Sequence, residues 1–274
     1  MSDAALYQQR LENWRQTPER RIHGPEEAAA FIDVVGVATL YPASPEAPNL
    51  FHAYMGDPDA ATDSGHDSPS GQVYGWRWAL GRAEAAFYSA IVRKRPTWVR
   101  WDLLPAVIRL RGELRAPEDL YRSGELSDGA HRIAAALSGA GGVLSTGELR
   151  REAGFPTGKA ERAAYLRAVE ELDTRLLLAK VFSPDDLEMR HALVRVRYPE
   201  SVAAAESLGR DAALERFLEV CLPPAVYAAP TPLARHLGLP VEDLRAGLDR
   251  LVEQGRAQRV SVPGYKGECY EWCA

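Results

Sequence analysis

His52, His66 and Asp67 are the groups best suited to acid–base work, because imidazole titrates near neutrality. His66 stands in a polar stretch, where a lone surface histidine is the ordinary outcome. Asp57, Asp59, Asp63 and Asp67 could hold a cation, but the glycine and terminal glutamate of a calcium loop are missing. Cys269 and Cys273 lie near the chain end, and His191 and His236 lie elsewhere; no pair has zinc-finger spacing, so no metal site is expected. There is no Gly-Lys-Ser/Thr phosphate loop and no Gly-x-Gly-x-x-Gly turn after a strand, so no cofactor is expected.

A stronger signal is a block of charge. Residues 1–70 sum to −7 and residues 71–115 to +6. The basic block carries Arg77, Arg82, Arg93, Lys94, Arg95, Arg100, Arg109, Arg111 and Arg115 against three acids. It also holds Trp76, Trp78, Trp98 and Trp101, four of the six tryptophans. Cations meet phosphates and flat rings stack on bases, so this mixture suits nucleic acid. It equally suits an arginine-bordered sheet and helix with tryptophan in the core. Arg77, Arg93, Lys94, Arg95, Trp98 and Arg100 are the candidate DNA contacts in this block.

The rest of the composition sets limits. The chain has 274 residues and a net charge of −5, with 46% hydrophobic and 26% charged residues, an ordinary globular profile. Such a chain is neither wholly disordered nor a coat for nucleic acid through bulk positive charge. No run reaches the ~18 apolar residues of a membrane span. The N-terminus lacks the layout of a signal peptide, and three cysteines are too few for a disulfide framework. A reducing cytoplasm is expected. Arginine outnumbers lysine 29 to 4, which reads as codon bias in an alanine-rich chain.

The elements that must position these residues are mainly helical. Residues 1–16 read as a short helix, and Gly24-Pro25-Glu26-Glu27 opens another that ends near Gly36. Pro42, Pro45 and Pro48 interrupt regular structure before a helix restarts at 48–55. Residues 56–71 are polar and turn-rich, the expected mobile loop. Gly81 to Arg93 reads helical, 96–101 as a short strand, and Leu103 to Leu110 helical again. From residue 127 a new pattern begins. Asp128–Ser138 is a helix stopped by Gly139, Gly141 and Gly142; Ser145 and Glu148 form a capping box; Lys159–Arg175 is a long amphipathic helix. Leu176–Phe182 and Met189–Tyr198 read as strands around Ser183-Pro184-Asp185-Asp186.

Three helices and a hairpin are the layout of a winged helix-turn-helix. It recurs in Asp211–Leu222, Thr231–Leu237, a helix from Pro240 to Gln254, and strands 256–262 and 267–272. The expected fold is therefore mainly α with small β-hairpins: an N-terminal helical domain over 1–115 with the basic tryptophan-rich segment, then winged helices over 127–200 and 205–274.

Helical periodicity puts Tyr165, Leu166, Val169 and Leu172 on the core side of the first long helix. Lys159 and Arg167 face away as further candidate DNA contacts. The matching face of the second unit carries Glu242, Asp249 and Glu253, which repel phosphate and point to a packing module.

The segment FIDVVGVATLYPASPEAPNLFHAYMGD resembles the motif region of AlkZ/YcaQ-type DNA glycosylases, tandem winged-helix enzymes that remove alkylated and crosslinked bases. The family pattern Gly-Leu-Gln-x-Gln-Asp-Pro matches Gly36 to Pro42. The AlkZ-related proteins resemble this chain more closely, through Val-Gly-x-x-x-Leu and the stretches Tyr74-Gly75-Trp76-Arg77-Trp78 and Lys94-Arg95-Pro96-Thr97. The resemblance implies DNA as partner, duplex and perhaps damaged. The two glutamines thought to position water fall on Ala38 and Leu40, which offer no lone pair. A second element of the family, Arg-Gly-Thr-x-His, falls on Arg100 with Leu104 at its histidine. No glutamine-based catalysis is expected. If base removal survives, Asp33 and Asp102 are the nearest carboxylates to replace it. Three readings remain open: a non-catalytic DNA-binding member, a glycosylase with an altered site, and a winged-helix module for a protein partner.

Overall fold

The structure, a computed structural model, describes residues 3–139, 142–185 and 187–273. The expected turn residue Asp186 and the helix-stop residue Gly141 lie outside the described residues. After α1 (Asp3–Asn13) comes a first unit: α2 (Pro25–Val35), β1 (Val37–Thr39), α3 (Leu50–Met55), α4 (Pro69–Arg82), β2 (Phe87–Ser89) and β3 (Thr97–Val99). α5 (Leu104–Arg111) and α6 (Pro117–Arg122) lead to a second: α7 (Asp128–Gly139), β4 (Leu144–Ser145), α8 (Thr146–Glu152), α9 (Lys159–Thr174), β5 (Leu178–Phe182) and β6 (Met189–Leu193). α10 (Val194–Arg197) and α11 (Pro199–Ser207) connect to a third: α12 (Arg210–Ala225), β7 (Tyr227–Ala228), α13 (Pro230–Leu237), α14 (Val241–Glu253), β8 (Ala257–Val260) and β9 (Cys269–Trp272).

Helices dominate, and each unit holds one small antiparallel sheet. In all three sheets the last strand lies in the middle: β1-β3-β2, β4-β6-β5 and β7-β9-β8. The same order of elements thus occurs three times, once more than the sequence pattern indicates. The N-terminal part, expected to be helical, contains a sheet. Its strands are three residues long, too short to show a period of two.

The helix expected over 81–93 is also misplaced. The real helix there, α4, starts at Ser68, whose hydroxyl accepts from the Gly71 amide, with Pro69 in the first turn. Gly71 and Gly81 lower its helical signature, and both are required by close approach. A Cβ at Gly71 would lie 2.2 Å from the Gly65 carbonyl oxygen, and one at Gly81 would lie 2.1 Å from the Phe182 ring. The 56–71 loop closes on this helix start through reciprocal bonds between Asp63 and Ser70 (3.0 and 3.1 Å). The strand expected to reach Tyr198 stops at Leu193. Beyond it, Arg195 donates to the Leu114 carbonyl (2.7 Å) and Arg197 pairs with Glu84 (2.6 Å), tertiary partners that override local strand propensity.

The apolar cores run across the units. α5 lies at the middle of one cluster that joins Val37, Phe87 and Val99 to Phe217, Leu218, Leu244 and Leu248. A second cluster fills the first unit, and Phe182 of the second unit enters it. Phe182 stacks on Trp98 (6.0 Å, 22°) and meets Trp78 and Tyr88 edge-on (5.5 and 5.6 Å). α1 is fastened by Arg10, which is 2% exposed. Its guanidinium donates to the carbonyls of Ala225 and Tyr227, pairs with Glu46 (3.3 Å) and covers the Tyr227 ring.

Phe182→Ala should therefore loosen the first and second units together. Loss of a buried aromatic ring costs about 3–5 kcal/mol. Denaturant unfolding should show a lower midpoint; a change within error would mean that the stack carries no stability.

Candidate nucleic-acid interface

Among the described residues, three of the nine cations in the basic block have an acid partner. Lys94 pairs with Glu170 (2.6 Å), Arg115 with Glu113 and Glu125 (both 2.7 Å), and Arg100 with Asp102. Arg82 donates to the Ser183 carbonyl (3.0 Å). Arg77, Arg93, Arg95, Arg109 and Arg111 have no acid partner among the described residues.

Three of the sequence-predicted cations form one projecting tip. The chain between β2 and β3 carries Arg93, Lys94 and Arg95, all exposed. Arg93 and Lys94 both have left-handed backbones, with φ of 49° and 59°. Non-glycine residues rarely adopt this region, and two in succession hold strain that the surrounding structure must enforce. The tip touches both other units. Lys94 reaches Glu170 on α9, and Arg93 lies close enough to His236 on α13 to lower its pKa, as does Arg235. Lys159, Arg162 and Arg167 are exposed on α9 and have no acid partner among the described residues. Arg162 escaped the sequence reading, although it lies three residues after Lys159. Leu166, expected in the core, is 52% exposed beside them; the helix is rotated so that Ala168 is buried instead.

The tryptophans are mostly core. Trp98 is fully buried, so it cannot stack on a base, contrary to expectation. Its place is fixed by register: Ala38, Trp98 and Tyr88 lie side by side across β1, β3 and β2. Side chains alternate along a strand. Ala38 and Leu40 therefore share the face that packs with Trp98, and both are 0% exposed. Thr39 faces the other way, into a cavity of about 60 Å³ with Val37, Cys221 and His236. The two positions that match the family's glutamines are closed over by aromatic rings.

The fallback carboxylates lie elsewhere. Asp102 is held by Arg100 and by Arg216 (2.7 Å), and Asp33 is 3.8 Å from Arg100. These ion pairs lie at the opposite end of β3 from the basic tip, around Arg100, the arginine of the family's second element. Arg100, a candidate DNA contact, belongs to this network and not to the tip. Among the acid–base candidates, His66 and Asp67 are exposed, while His52 is half-buried and its pKa is lowered by burial. Among the described residues no three His, Cys, Asp or Glu side chains are arranged to hold a metal ion. Asp249, read as a surface acid, instead accepts from Arg259 and Tyr270 (both 2.7 Å).

A cluster that the sequence reading missed joins the first and second units. Arg77 lies over the Tyr74 ring at 3.5 Å, and its Nε is buried without a partner. Burial pushes the Tyr88 phenol up to about 12, with Arg77 opposing and Asp173 of the second unit reinforcing. Tyr41, at the place of the motif's aspartate, is raised by burial and also feels Arg77. Arg77 thus lies on Tyr74 and within electrostatic reach of Tyr41 and Tyr88.

A family model for AlkZ-related proteins matches residues 22–184, more than half of the chain. The chain belongs to the AlkZ-related family, as the resemblance over its motif segment indicated. Among solved structures, the Streptomyces sahachiroi DNA glycosylase AlkZ is similar over 96% of this chain and 69% of its own, with a TM-score of 0.54 and 14% identity. That likeness is one of fold. No curated protein matches the sequence. No helix of the described residues is long and apolar enough to cross a membrane.

Two tests follow from this geometry. Ala38→Gln must displace the Trp98 indole and bury an amide, at a cost of about 2–4 kcal/mol from overpacking and an unpartnered polar group. A thermal melt equal to that of the unaltered chain would show that the face is open. Burial lowers His191 to about 3 and His236 to about 4, from 6.5. Both are neutral when folded, and the unfolded chain takes up protons first as pH falls. Stability is complete above about pH 6.5 and declines toward pH 4 and then 3. The double variant His191→Asn, His236→Asn should show a shallower acid decline in urea midpoints.

Proposed function

We propose that this AlkZ-related chain is a DNA-binding protein built from three winged helices, and that it lacks the glutamine-based glycosylase chemistry of its relatives. The units correspond to 1–115, 127–200 and 205–274. The name rests on the order of helix, strand, two helices and hairpin with the last strand central, found in each unit. In this layout α4, α9 and α14 occupy the recognition position. α4 is covered in part by Phe182, while α9 offers Lys159, Arg162 and Arg167.

The observation that carries the reading is the strained tip Arg93-Lys94-Arg95, which bridges α9 and α13. With Arg167 and Lys159 it supplies cations from two units to one duplex backbone. Phosphate contacts of this kind position a protein without reading sequence. The Glu170 carboxylate tempers the patch by holding Lys94. The chemistry reading rests on Ala38 and Leu40, which are buried and apolar where base hydrolysis needs a polar group beside the sugar. Duplex DNA, intact or damaged, is the partner this surface fits.

The test is a salt titration of duplex binding. Arg93→Ala with Arg95→Ala should lower affinity and reduce the slope of log K against log salt by about 0.9 for each lost contact. Adding Arg167→Ala should reduce it again. Release of alkylated or crosslinked bases by excess protein should stay at the level without protein. An unchanged slope would move the interface elsewhere. Absence of any duplex binding would favour a protein partner, and excision of a base would restore the glycosylase reading.

A further inference from the structure

Four lysines stand against twenty-nine arginines in this chain. Lys94, Lys159 and Lys266 are exposed. Lys180, on β5, is 13% exposed, and its ammonium lies against both carboxylate oxygens of Asp173, which is 12% exposed. A guanidinium grips a carboxylate with a planar fork that an ammonium lacks. Arginine serves in the other ion pairs among the described residues, apart from Lys94 with Glu170. What lysine alone can do at a buried position is lose its proton and attack carbon.

Lys180 also has an opening. It lines a cleft of about 300 Å³ between the first and second units, with Tyr88, Trp101, Tyr198, Arg82 and Arg197. Trp101 and Tyr198 pack against one another at 5.1 Å. The Trp101 indole donates to the carbonyl of Glu84 (2.6 Å), a residue held at φ 46°. Strain at the wall of a cleft is where a fixed geometry is being enforced. The cleft thus has an amine, aromatic walls and guanidinium groups, and the buried Asp173 carboxylate lies against the amine. That set fits a small electrophilic carbonyl flanked by phosphates, and it is too small for a stacked base pair.

We propose that Lys180 captures the aldehyde of a deoxyribose that has lost its base, as a covalent imine. The inference rests on the DNA-binding reading above. Asp173 accepts a proton from the Lys180 ammonium, and the free amine attacks C1′ of the open sugar. The protonated carboxyl returns its proton to the resulting hydroxyl, which leaves as water, and the protonated imine remains. The imine acidifies C2′. Asp173 removes a C2′ proton, the C3′–O bond breaks, and the phosphate leaves with the downstream strand and takes up that proton, which returns Asp173 to the carboxylate. Hydrolysis by one water then releases an unsaturated aldehyde and returns Lys180 as the ammonium. No oxidant and no bound group is needed. Tyr88, near Asp173 and neutral at ordinary pH, stands as a hydrogen-bond donor at the same cleft.

The experiment uses the full chain and a labelled duplex with a single base-free site, treated with sodium borohydride. Hydride from borohydride reduces an imine to a stable amine, so a covalent protein–DNA band should form. Peptide mapping of that band from the unaltered protein should place the adduct on Lys180. Lys180→Arg keeps a cation beside Asp173 and should lose the band, while the melting temperature and binding of intact duplex are retained. A loss caused only by misfolding would lower both of those readouts. An adduct mapped to another amine overturns the proposal, as does a band that persists in Lys180→Arg. Binding of the base-free duplex without any covalent band overturns it and leaves the DNA-binding reading standing. No binding of either duplex at low salt removes both.

Discussion

Phe182 leaves the second unit and lies on Trp98 in the first, and much of the remaining arrangement depends on that contact. Trp98 occupies the middle of the first sheet, with Ala38 on one side and Tyr88 on the other. Only a small residue at 38 leaves room for the indole, and only a glycine at 81 leaves room for the ring that covers it. A tight aromatic cluster transmits position, because interiors are packed too closely to deform smoothly. β2 and β5 are thereby held side by side. The cleft containing Lys180 exists because those strands abut, and the basic tip reaches α9 because the same contact sets the distance between the units.

Pairing divides the charge of the basic block. The +6 of residues 71–115 resolves into three cations with acid partners, Lys94, Arg100 and Arg115, and a larger set with none among the described residues. Exposed ion pairs contribute little to stability, so the pairing matters chiefly through what it removes from the surface field. Arg100 illustrates this. In the sequence it stands beside the cationic run and looks equivalent to Arg95, yet the strand between them separates the two by its full length. One faces the tip, and the other is consumed by Asp33 and Asp102.

The long helices were legible in extent, through Pro25 at the start and Gly36 at the end of α2, and Pro240 before and Gly255 after α14. α2, α9 and α14, and the capping box at Ser145, stand where the pattern places them. The first sheet was not legible, since three-residue strands carry no periodic signal. α4 was hidden because its glycines serve packing by the loop and by Phe182, which no local rule contains. The site was legible in its cations and illegible in its geometry. Arg93, Lys94 and Arg95 could be named from charge, whereas Trp98 could not be assigned to the core from an alternation that also suits a stacking platform. The Arg77–Tyr88–Asp173 cluster draws on segments nearly a hundred residues apart, and sequence spacing does not record such proximity.

The motif positions on β1 differ from the family pattern in packing as well as in residue type. A glutamine pair that orients water needs an open, hydrated face on β1. Here that face is dry: Ala38 and Leu40 are buried with Trp98, and the Trp98 indole nitrogen itself has no hydrogen-bond partner. Restoring one glutamine would not restore the site, because the amide would enter a volume already filled by rings. The return path needs at least Trp98 and Phe182 to shrink together with the change at 38, and each step alone leaves a cavity or an overpacked core. On the proposed reading, a reaction of this chain uses groups outside that face, such as Lys180 and Asp173 at the seam between the first and second units.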